Sequence, residues 1–317
     1  MPRLTTKSCL TAALLVGAIA PADAQEITLR LRPEEGRTYR LLSVNDIEAR
    51  QSIMGQTMDN HQVMTGVMAY EILSVNSDGQ ASVRVTYESM KLQQDGPMGR
   101  IEYDSSDPPE VMDEATRAYS VMVGKTFHMK LNADGSVSEV EGMDALMDEL
   151  LSDMPGSEVL PGMMEDIRDS MEGIFDEKMF ETGLGGISFP VRGLSIGDSW
   201  TATSAAQGLV PISLTTTWTL SDRRDGVAHL DVRSVVGKGE PEMIKMGPMS
   251  MTYDMSGESL GTAQVDETSG WMIRSRLEGT FSGTTTVDMP GMPGGPMTSP
   301  MSMTMVTTTE LLPGTGN

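Results

Sequence analysis

The sequence is poor in cysteine and in aromatic residues. Its one cysteine is Cys9, and its 317 residues include 5 Phe, 6 Tyr and 3 Trp against 29 Met. Because a disulfide within the chain needs two cysteines, none can form, and a multi-cysteine metal site is excluded for the same reason. Methionine is the main large apolar residue, and its unbranched thioether adapts to irregular surroundings. The composition indicates either a deformable apolar surface for a hydrophobic partner or thioether ligands for a soft metal.

Basic residues are also scarce. Lys and Arg number 23 against 45 Asp and Glu, which gives the chain a formal net charge of −22. A surface this acidic repels nucleic acid and anionic membranes. We therefore expect no nucleic acid partner.

No apolar run is long enough to cross a membrane, but the N-terminus has the features of an export signal. Arg3 and Lys7 precede an apolar stretch from Cys9 to Ala20. This stretch of about a dozen residues is shorter than the ~20 that span a bilayer, and the small-residue pattern Ala22-Asp23-Ala24 follows it. The sequence predicts a signal peptide at residues 1–24 that is cleaved after Ala24. It also predicts secretion into the periplasm, and a mature chain with neither a cysteine nor a transmembrane segment.

Most of the remaining chain alternates apolar and polar residues with the period of two that is typical of strands buried on one face. From Thr57 to Ile72, even positions hold Met58, Met64 and Met68, whereas polar residues such as Asp59 occupy odd positions. Asp-Gly pairs between such stretches predict tight turns, because Gly adopts the positive φ that these turns require. The pattern predicts a mainly β fold.

An acidic segment interrupts this alternation. Residues 143–181 are rich in Asp and Glu and place apolar side chains such as Met143, Leu146 and Leu150 at helical spacing. A shorter helix is predicted near 109–122, with Asp107 as its N-cap. We expect these acidic amphipathic helices to pack on the apolar faces of the sheets.

The two β-rich parts have the signs of an internal repeat. Gly36-Arg37-Thr38-Tyr39 opens the first part as Gly197-Asp198-Ser199-Trp200 opens the second, and Gly96-Pro97-Met98 recurs as Gly247-Pro248-Met249. We predict a first repeat at 25–142 and a second at 182–317. The expected fold is mainly β, with two related antiparallel curved sheets or half-barrels and the acidic helical insertion packed on them.

The stretch from Leu29 to Gly142 contains four recognisable motifs, two of which take part in the predicted repeat. They are Gly36-Arg37-Thr38-Tyr39, Ile53-Met54-Gly55-Gln56, Gly96-Pro97-Met98-Gly99 and Tyr103-Asp104-Ser105. With these motifs the chain resembles a family of secreted bacterial proteins of unknown function. The resemblance implies an exported β-rich protein and assigns no activity, substrate or catalytic residue. At the level of the fold alone, the chain is similar to periplasmic lipoprotein carriers, whose curved antiparallel sheet is closed by helices over an apolar cavity.

Catalytic signals are weak. Gly193-Leu194-Ser195-Ile196-Gly197 matches the nucleophile-elbow pattern, but that elbow needs a helix after the serine, and Trp200 to Thr203 reads as a strand. The histidines His61, His128 and His229 are far apart and lack metal-ligand spacing. We expect a protein that is not an enzyme and that uses no cofactor.

The methionines are left as the candidate site. We predict a hydrophobic groove for a lipid or a lipidated chain in the cell envelope. Its proposed lining is Met58, Met64, Met68, Tyr70, Met249, Met251, Met301, Met303 and Met305. One alternative is a Cu(I) or Ag(I) site at Met301, Met303 and Met305, since thioethers select these ions. A second alternative is a structural or protein-interaction module with an envelope protein as its partner, in which the methionines are ordinary core.

Overall fold

The structure is a computed structural model. It describes residues 26–53, 56–97, 99–110, 114–152, 187–206, 212–237, 243–246, 249–288 and 295–314. The predicted signal peptide and residues 153–181 of the predicted acidic helices lie outside the described residues.

Thirteen strands and two short helices make up the described part of the chain. The strands are β1 (Thr38–Ile53), β2 (Gln56–Val75), β3 (Ala81–Gly96), β4 (Gly99–Asp104), β5 (Thr126–Leu131), β6 (Val137–Glu141), β7 (Ser199–Ala206), β8 (Ile212–Arg224), β9 (Val227–Val236), β10 (Met243–Met246), β11 (Met249–Asp266), β12 (Met272–Asp288) and β13 (Met297–Leu311). The helices are α1 (Glu114–Met122) and α2 (Met143–Ser152).

All the strands belong to one antiparallel sheet. Its order is β6-β5-β3-β2-β1-β13-β12-β11-β9-β8-β7, with β4 paired to β3 and β10 paired to β11. The first and last strands meet at its centre, where β1 pairs with β13 from Leu41↔Leu311 to Gln51↔Met301. The predicted mainly β fold is confirmed, and the strands of the two predicted repeats are joined into one continuous open sheet.

Local turn chemistry explains why neighbouring strands fold back on one another. Between β8 and β9, Asp225 and Gly226 both have positive φ angles, 54° and 75°. Two consecutive residues in this region form the type I′ turn whose twist matches that of antiparallel strands. The Asp-Gly signal in the sequence therefore specifies this hairpin.

A single large buried cluster lies at one end of the sheet. It combines Leu131 and Val137 from one wing of the sheet with Trp218 and Leu230 from the other wing. We call this region the packed end. Side chains so far apart in the strand order can share a core only if the sheet curls until its two wings face each other.

Two irregular segments, 26–35 and 187–197, hold the wings together at the packed end. Ile27 and Leu194 exchange backbone hydrogen bonds of 2.9 and 2.7 Å. The Leu31 amide donates to Ala133 at 2.8 Å, and the Phe189 amide donates to Asp134 at 2.7 Å. These bonds satisfy backbone groups that would otherwise be buried without partners.

The two helices pack near β3, β4 and β5. On α1, Tyr119 and Met122 contact a small buried cluster of Met90, Leu92 and Tyr103. On α2, Met143 and Leu146 are buried in the core of the packed end, at 7% and 4% exposure. Neither helix of the described residues has the length and apolarity of a membrane-spanning segment.

Candidate ligand-binding face

The strand register places most of the predicted groove residues on one face of the sheet. Residues that pair across neighbouring strands point to the same side. Gln51 of β1 pairs with Met58 on one side and with Met301 on the other. Asn45 likewise pairs with Met64. The same face continues to the packed end, because Tyr39, on the same side of β1, pairs with Tyr70.

Beyond the packed end, this face is rich in methionine. We call it the methionine face and define it by its members on β1, β2, β11, β12 and β13. They are Asn45, Ile47, Ala49, Gln51, Met58, Asn60, Gln62, Met64, Met251, Tyr253, Met255, Leu277, Gly279, Phe281, Gly283, Met297, Met301, Met303 and Met305.

The predicted groove residues fall into three groups. Met58, Met64, Met251, Met301, Met303 and Met305 lie on the methionine face and are half-buried. Met68 and Tyr70 lie further along the same face, and Tyr70 is only 6% exposed beside the ring of Trp271. Met249 is the first residue of β11, and its side chain lies outside the described part of the structure. The register thus places the first group on one face, spread along its length, and places Tyr70 at the packed end.

One aromatic residue that sequence reasoning missed lies in the middle of this face. Phe281 is 4% exposed and pairs with Met303 on β13 and Gly257 on β11. A Cβ atom added at Gly257 or Gly279 would come within 2.7 or 2.6 Å of the Phe281 ring. The ring therefore lies over the two glycines, close to the backbone of the sheet. The signal was present in the sequence as glycines at alternate positions around a lone phenylalanine.

Hydroxyl groups on this face point towards sulfur atoms. Thr285 Oγ1 donates to Met301 Sδ at 3.6 Å, and the Tyr253 hydroxyl contacts Met251 Sδ at 4.0 Å. Burial raises the pKa of Tyr253, so its hydroxyl remains a donor at neutral pH. Thioethers are weak acceptors, and these contacts satisfy polar groups without adding charge.

The methionine face carries no charged side chain. Along the paired stretches 39–51, 58–70, 251–263, 275–287 and 297–311, the charged residues all fall on the opposite face. They are Arg40, Asp46, Glu48, Arg50, Asp59, Asp254, Glu258, Arg276, Glu278 and Glu310. In a chain with a net charge of −22, this segregation produces one uncharged face and one heavily charged face.

A protein-family model matches the part of the chain that forms β3 to β11. Residues 78–272 match the model of a family of unknown function, DUF6263. The chain belongs to this family. The predicted resemblance to a family of unknown function is thereby confirmed. No curated protein matches this DUF6263 member.

Solved structures show only distant likenesses to this DUF6263 protein. A structure describing lipid–protein interactions in lipovitellin matches with a TM-score of 0.47 and 9% identity over 89% of this chain, which spans only 26% of that chain. DynF from the dynemicin biosynthesis pathway of Micromonospora chersina matches with a TM-score of 0.18 and 8% identity over 96% of this chain and 95% of its own. OmpF of Salmonella typhi, in complex with daunomycin, matches with a TM-score of 0.22 and 7% identity over 90% of this chain and 100% of its own. With TM-scores below 0.5, these likenesses carry no argument about function.

The alternative metal site would use three thioethers along one strand. Met301, Met303 and Met305 point to the same side of β13, but residues at i and i+2 in a strand lie roughly 6.6 Å apart. Their neighbours on β1 are Gln51, Ala49 and Ile47, so strand pairing adds no further sulfur there. The copper or silver site remains a prediction that requires the flexible side chains to converge.

The serine pattern at 193–197 has a structural role in the described fold. It precedes β7, a strand, whereas a nucleophile elbow is followed by a helix. The Ser195 amide donates to Asp198 Oδ2 at 3.0 Å, and Arg192 Nη1 donates to the same oxygen at 2.9 Å. These bonds, led by the one from the Ser195 amide, lower the pKa of Asp198. The arrangement shapes the turn into β7.

An open concavity lies mainly on the charged face. It has a volume of about 590 Å³. Its lining includes Glu48, Asp59 and His61, together with Ala49, Asn60 and Met303 of the methionine face. Its charged groups are largely paired with each other, as in Arg50–Asp59 at 2.6 Å and His61–Asp46 at 2.8 Å. No group of three or more His, Cys, Asp or Glu that could hold a metal ion occurs among the described residues.

Proposed function

We propose that this protein is a secreted, non-catalytic component of the periplasm that binds a lipid or a lipidated chain on the methionine face. The observation that carries the proposal is the segregation of charge. A chain with 45 acidic residues keeps one broad, methionine-rich sheet face free of any charged side chain. A broad apolar face whose side chains are only half-buried is a frequent mark of a binding site.

The construction of the face suits an irregular apolar ligand. The five central strands are paired on both sides, so the backbone beneath the face is fixed by ladder hydrogen bonds. Above this rigid floor, methionine side chains adapt their shape to what they contact. Phe281, only 4% exposed, packs beneath them against the sheet at the centre of the face. A rigid floor with adaptable side chains can bind flexible acyl chains of different lengths.

The first test compares two neighbouring substitutions on β13 that add the same charge to opposite faces. Met303 lies on the methionine face, and Thr304 lies on the charged face. A buried carboxylate without a partner is strongly unfavourable in contact with an apolar ligand. We expect Met303→Asp to weaken binding of the fluorescent probe N-phenyl-1-naphthylamine by about tenfold or more, or about 1.4 kcal/mol, and Thr304→Asp to leave it unchanged.

Circular dichroism of both variants checks that the sheet is intact. Equal probe binding by the two variants would remove the methionine face as the site. Native mass spectrometry of residues 25–317, purified without detergent, provides a second measurement. A co-purified adduct of lipid mass would support the proposal. A bare mass, together with no probe binding by the unmodified protein, would contradict it and favour the structural module.

The copper or silver alternative rests on the shared orientation of Met301, Met303 and Met305. Replacing all three with Leu preserves size and apolarity but removes sulfur. We expect this triple variant to keep its probe binding. If it instead lost a saturable Cu(I) adduct that the unmodified protein formed, the metal site would replace the lipid site as the preferred function.

A further inference from the structure

The methionine face has two chemically different halves. The half formed by β11, β12 and β13 carries thioether, aromatic and small side chains, with Met301, Met303, Met305 and Phe281 at its centre. The half formed by β1 and β2 intersperses apolar residues with the amides Asn45, Gln51, Asn60 and Gln62. Amides both donate and accept hydrogen bonds, and they carry no charge. The face therefore combines an apolar surface with a neutral polar surface beside it.

Two of the four amides already form hydrogen bonds with neighbouring side chains. Thr307 Oγ1 donates to Asn45 Oδ1 at 2.9 Å, and the Tyr119 hydroxyl of α1 hydrogen-bonds the Gln62 side chain. Among the described residues, the side chains of Gln51 and Asn60 make no hydrogen bond that would occupy their donors. Both are half-buried. Gln51 pairs with Met58 and Met301, and Asn60 pairs with Ala49. These two amides are available to a ligand.

By strand register, the charged neighbours of Gln51 point to the opposite face of the sheet. Arg50 precedes Gln51 in β1, points to the opposite face, and pairs with Asp59 at 2.6 Å. No cation of the paired central strands reaches the methionine face. An anionic ligand would lose its hydration there without gaining a countercharge, and the acidic chain would repel it as well.

We infer that the ligand is a neutral amphiphile. Its acyl chain lies along Met301, Met303 and Met305, and its uncharged head group, with ester, amide or hydroxyl groups, hydrogen-bonds Gln51 and Asn60. This inference rests on the proposed function and narrows it to neutral lipids and neutral acylated groups. Fatty acid anions are disfavoured because the face offers amides in place of a cation.

A pair of ligands with the same chain and different head charge tests this inference. Monodecanoylglycerol and decanoate share a ten-carbon acyl chain, and at neutral pH only decanoate is charged. We expect monodecanoylglycerol to displace the probe from the full secreted chain at a concentration about tenfold or more below the concentration of decanoate that is needed. Both ligands are kept below their critical micelle concentrations.

Substitutions on the two faces then test whether the preference for a neutral ligand arises at the methionine face. Gln51→Lys places a cation on the methionine face and should improve decanoate binding by about tenfold. Ser302→Lys is the matched control, because Ser302 lies on the opposite face, paired with Arg50. It should leave decanoate binding unchanged. Asn60→Leu should weaken binding of monodecanoylglycerol more than binding of the uncharged probe, because only monodecanoylglycerol has ester and hydroxyl groups that an amide can hydrogen-bond.

The possible results distinguish a failure of the neutral-ligand inference from a failure of the proposed function. If neither amphiphile nor the probe binds, the proposed function fails. If decanoate binds as tightly as monodecanoylglycerol, the neutral-ligand inference is overturned while lipid binding stands. The inference is also overturned if Gln51→Lys and Ser302→Lys change decanoate binding equally, because a general charge effect would then explain the result.

Discussion

The packed end and the methionine face are two parts of one sheet face that use methionine differently. At the packed end, Met129 and Met272 are only 3% and 5% exposed. Segments 26–35 and 187–197 make their backbone hydrogen bonds there and cover the sheet. On the methionine face, Met301 and Met303 are half-buried. The same side chain therefore serves as core filling in one place and as an adaptable surface in the other, and coverage decides which.

The two regions also differ in how rigid their side chains are. The packed end contains rigid aromatic pairs, with Trp200 and Trp218 stacked at 5.9 Å and Tyr39 and Trp271 stacked at 3.8 Å. The methionine face has Phe281 among flexible thioethers. Rigid rings specify one packing arrangement, whereas thioethers accept several. The two ends of one sheet face therefore differ in side-chain rigidity as well as in coverage.

The largest expected effect is on stability at the packed end. Trp218 is 1% exposed, so Trp218→Ala leaves a large cavity and should lower the free energy of unfolding by about 3–5 kcal/mol. Met303→Ala removes a half-buried side chain and should cost about 1 kcal/mol. Urea denaturation followed by circular dichroism measures both. If both variants lost the same free energy of unfolding, the two regions would not differ, because the methionine face would then be ordinary core.

An intermediate effect is expected beneath Phe281. A Cβ at Gly279 would lie 2.6 Å from the Phe281 ring, so Gly279→Ala should cost about 1–3 kcal/mol through overpacking. The same substitution in a Phe281→Leu background should cost less, since the flat ring is gone. Gly66→Ala is the matched control on β2, where the nearest atom would be 3.8 Å away. A Gly279→Ala cost that is identical in both backgrounds would show that the ring does not lie over this glycine.

The smallest expected effect comes from ion pairs. Arg223 and Glu267, near the packed end, pair at 2.8 Å with side chains 24% and 18% exposed, whereas Arg50 and Asp59 are 68% and 65% exposed. The hydrogen bond from Arg223 lowers the pKa of Glu267. Glu267→Gln should cost about 1 kcal/mol at neutral pH, and Asp59→Asn should cost nothing measurable.

The sign of the pH dependence follows from the lowered pKa of Glu267. Its contribution to stability is complete above the pKa of an unfolded glutamate and is lost as pH falls through the lower folded pKa. The difference between the wild-type protein and Glu267→Gln should therefore shrink in acid. Thermal unfolding at neutral and acidic pH measures it, and a difference that grows in acid would contradict the pairing.

Alternation in the sequence was enough to group residues within each strand. Met58 and Met64 occupy even positions of β2, and Met301, Met303 and Met305 occupy odd positions of β13, so each set had to share a face. Exposure did not follow from the same pattern. Tyr70 has the same parity as Met64 but lies at the packed end, because alternation specifies a face and says nothing about what covers it.

Several predictions extend beyond the described residues. The signal peptide at 1–24, periplasmic location and the repeat boundaries at 25–142 and 182–317 remain predictions. The likeness to periplasmic lipoprotein carriers and the absence of catalysis also remain predictions. Sequence patterns could not settle the site either, since pocket and core use the same apolar residue types.

The strand content, the Asp-Gly turns and the two faces of each strand follow from local sequence, because they depend on neighbouring residues and on a period of two. The pairing of β1 with β13, which places Gln51 between Met58 and Met301, emerges only in the folded sheet. Backbone hydrogen bonds are the same for every pair of strands, so partner choice depends on the packing of the whole sheet. That choice joined the two β-rich parts and assembled an uncharged face from residues more than two hundred positions apart.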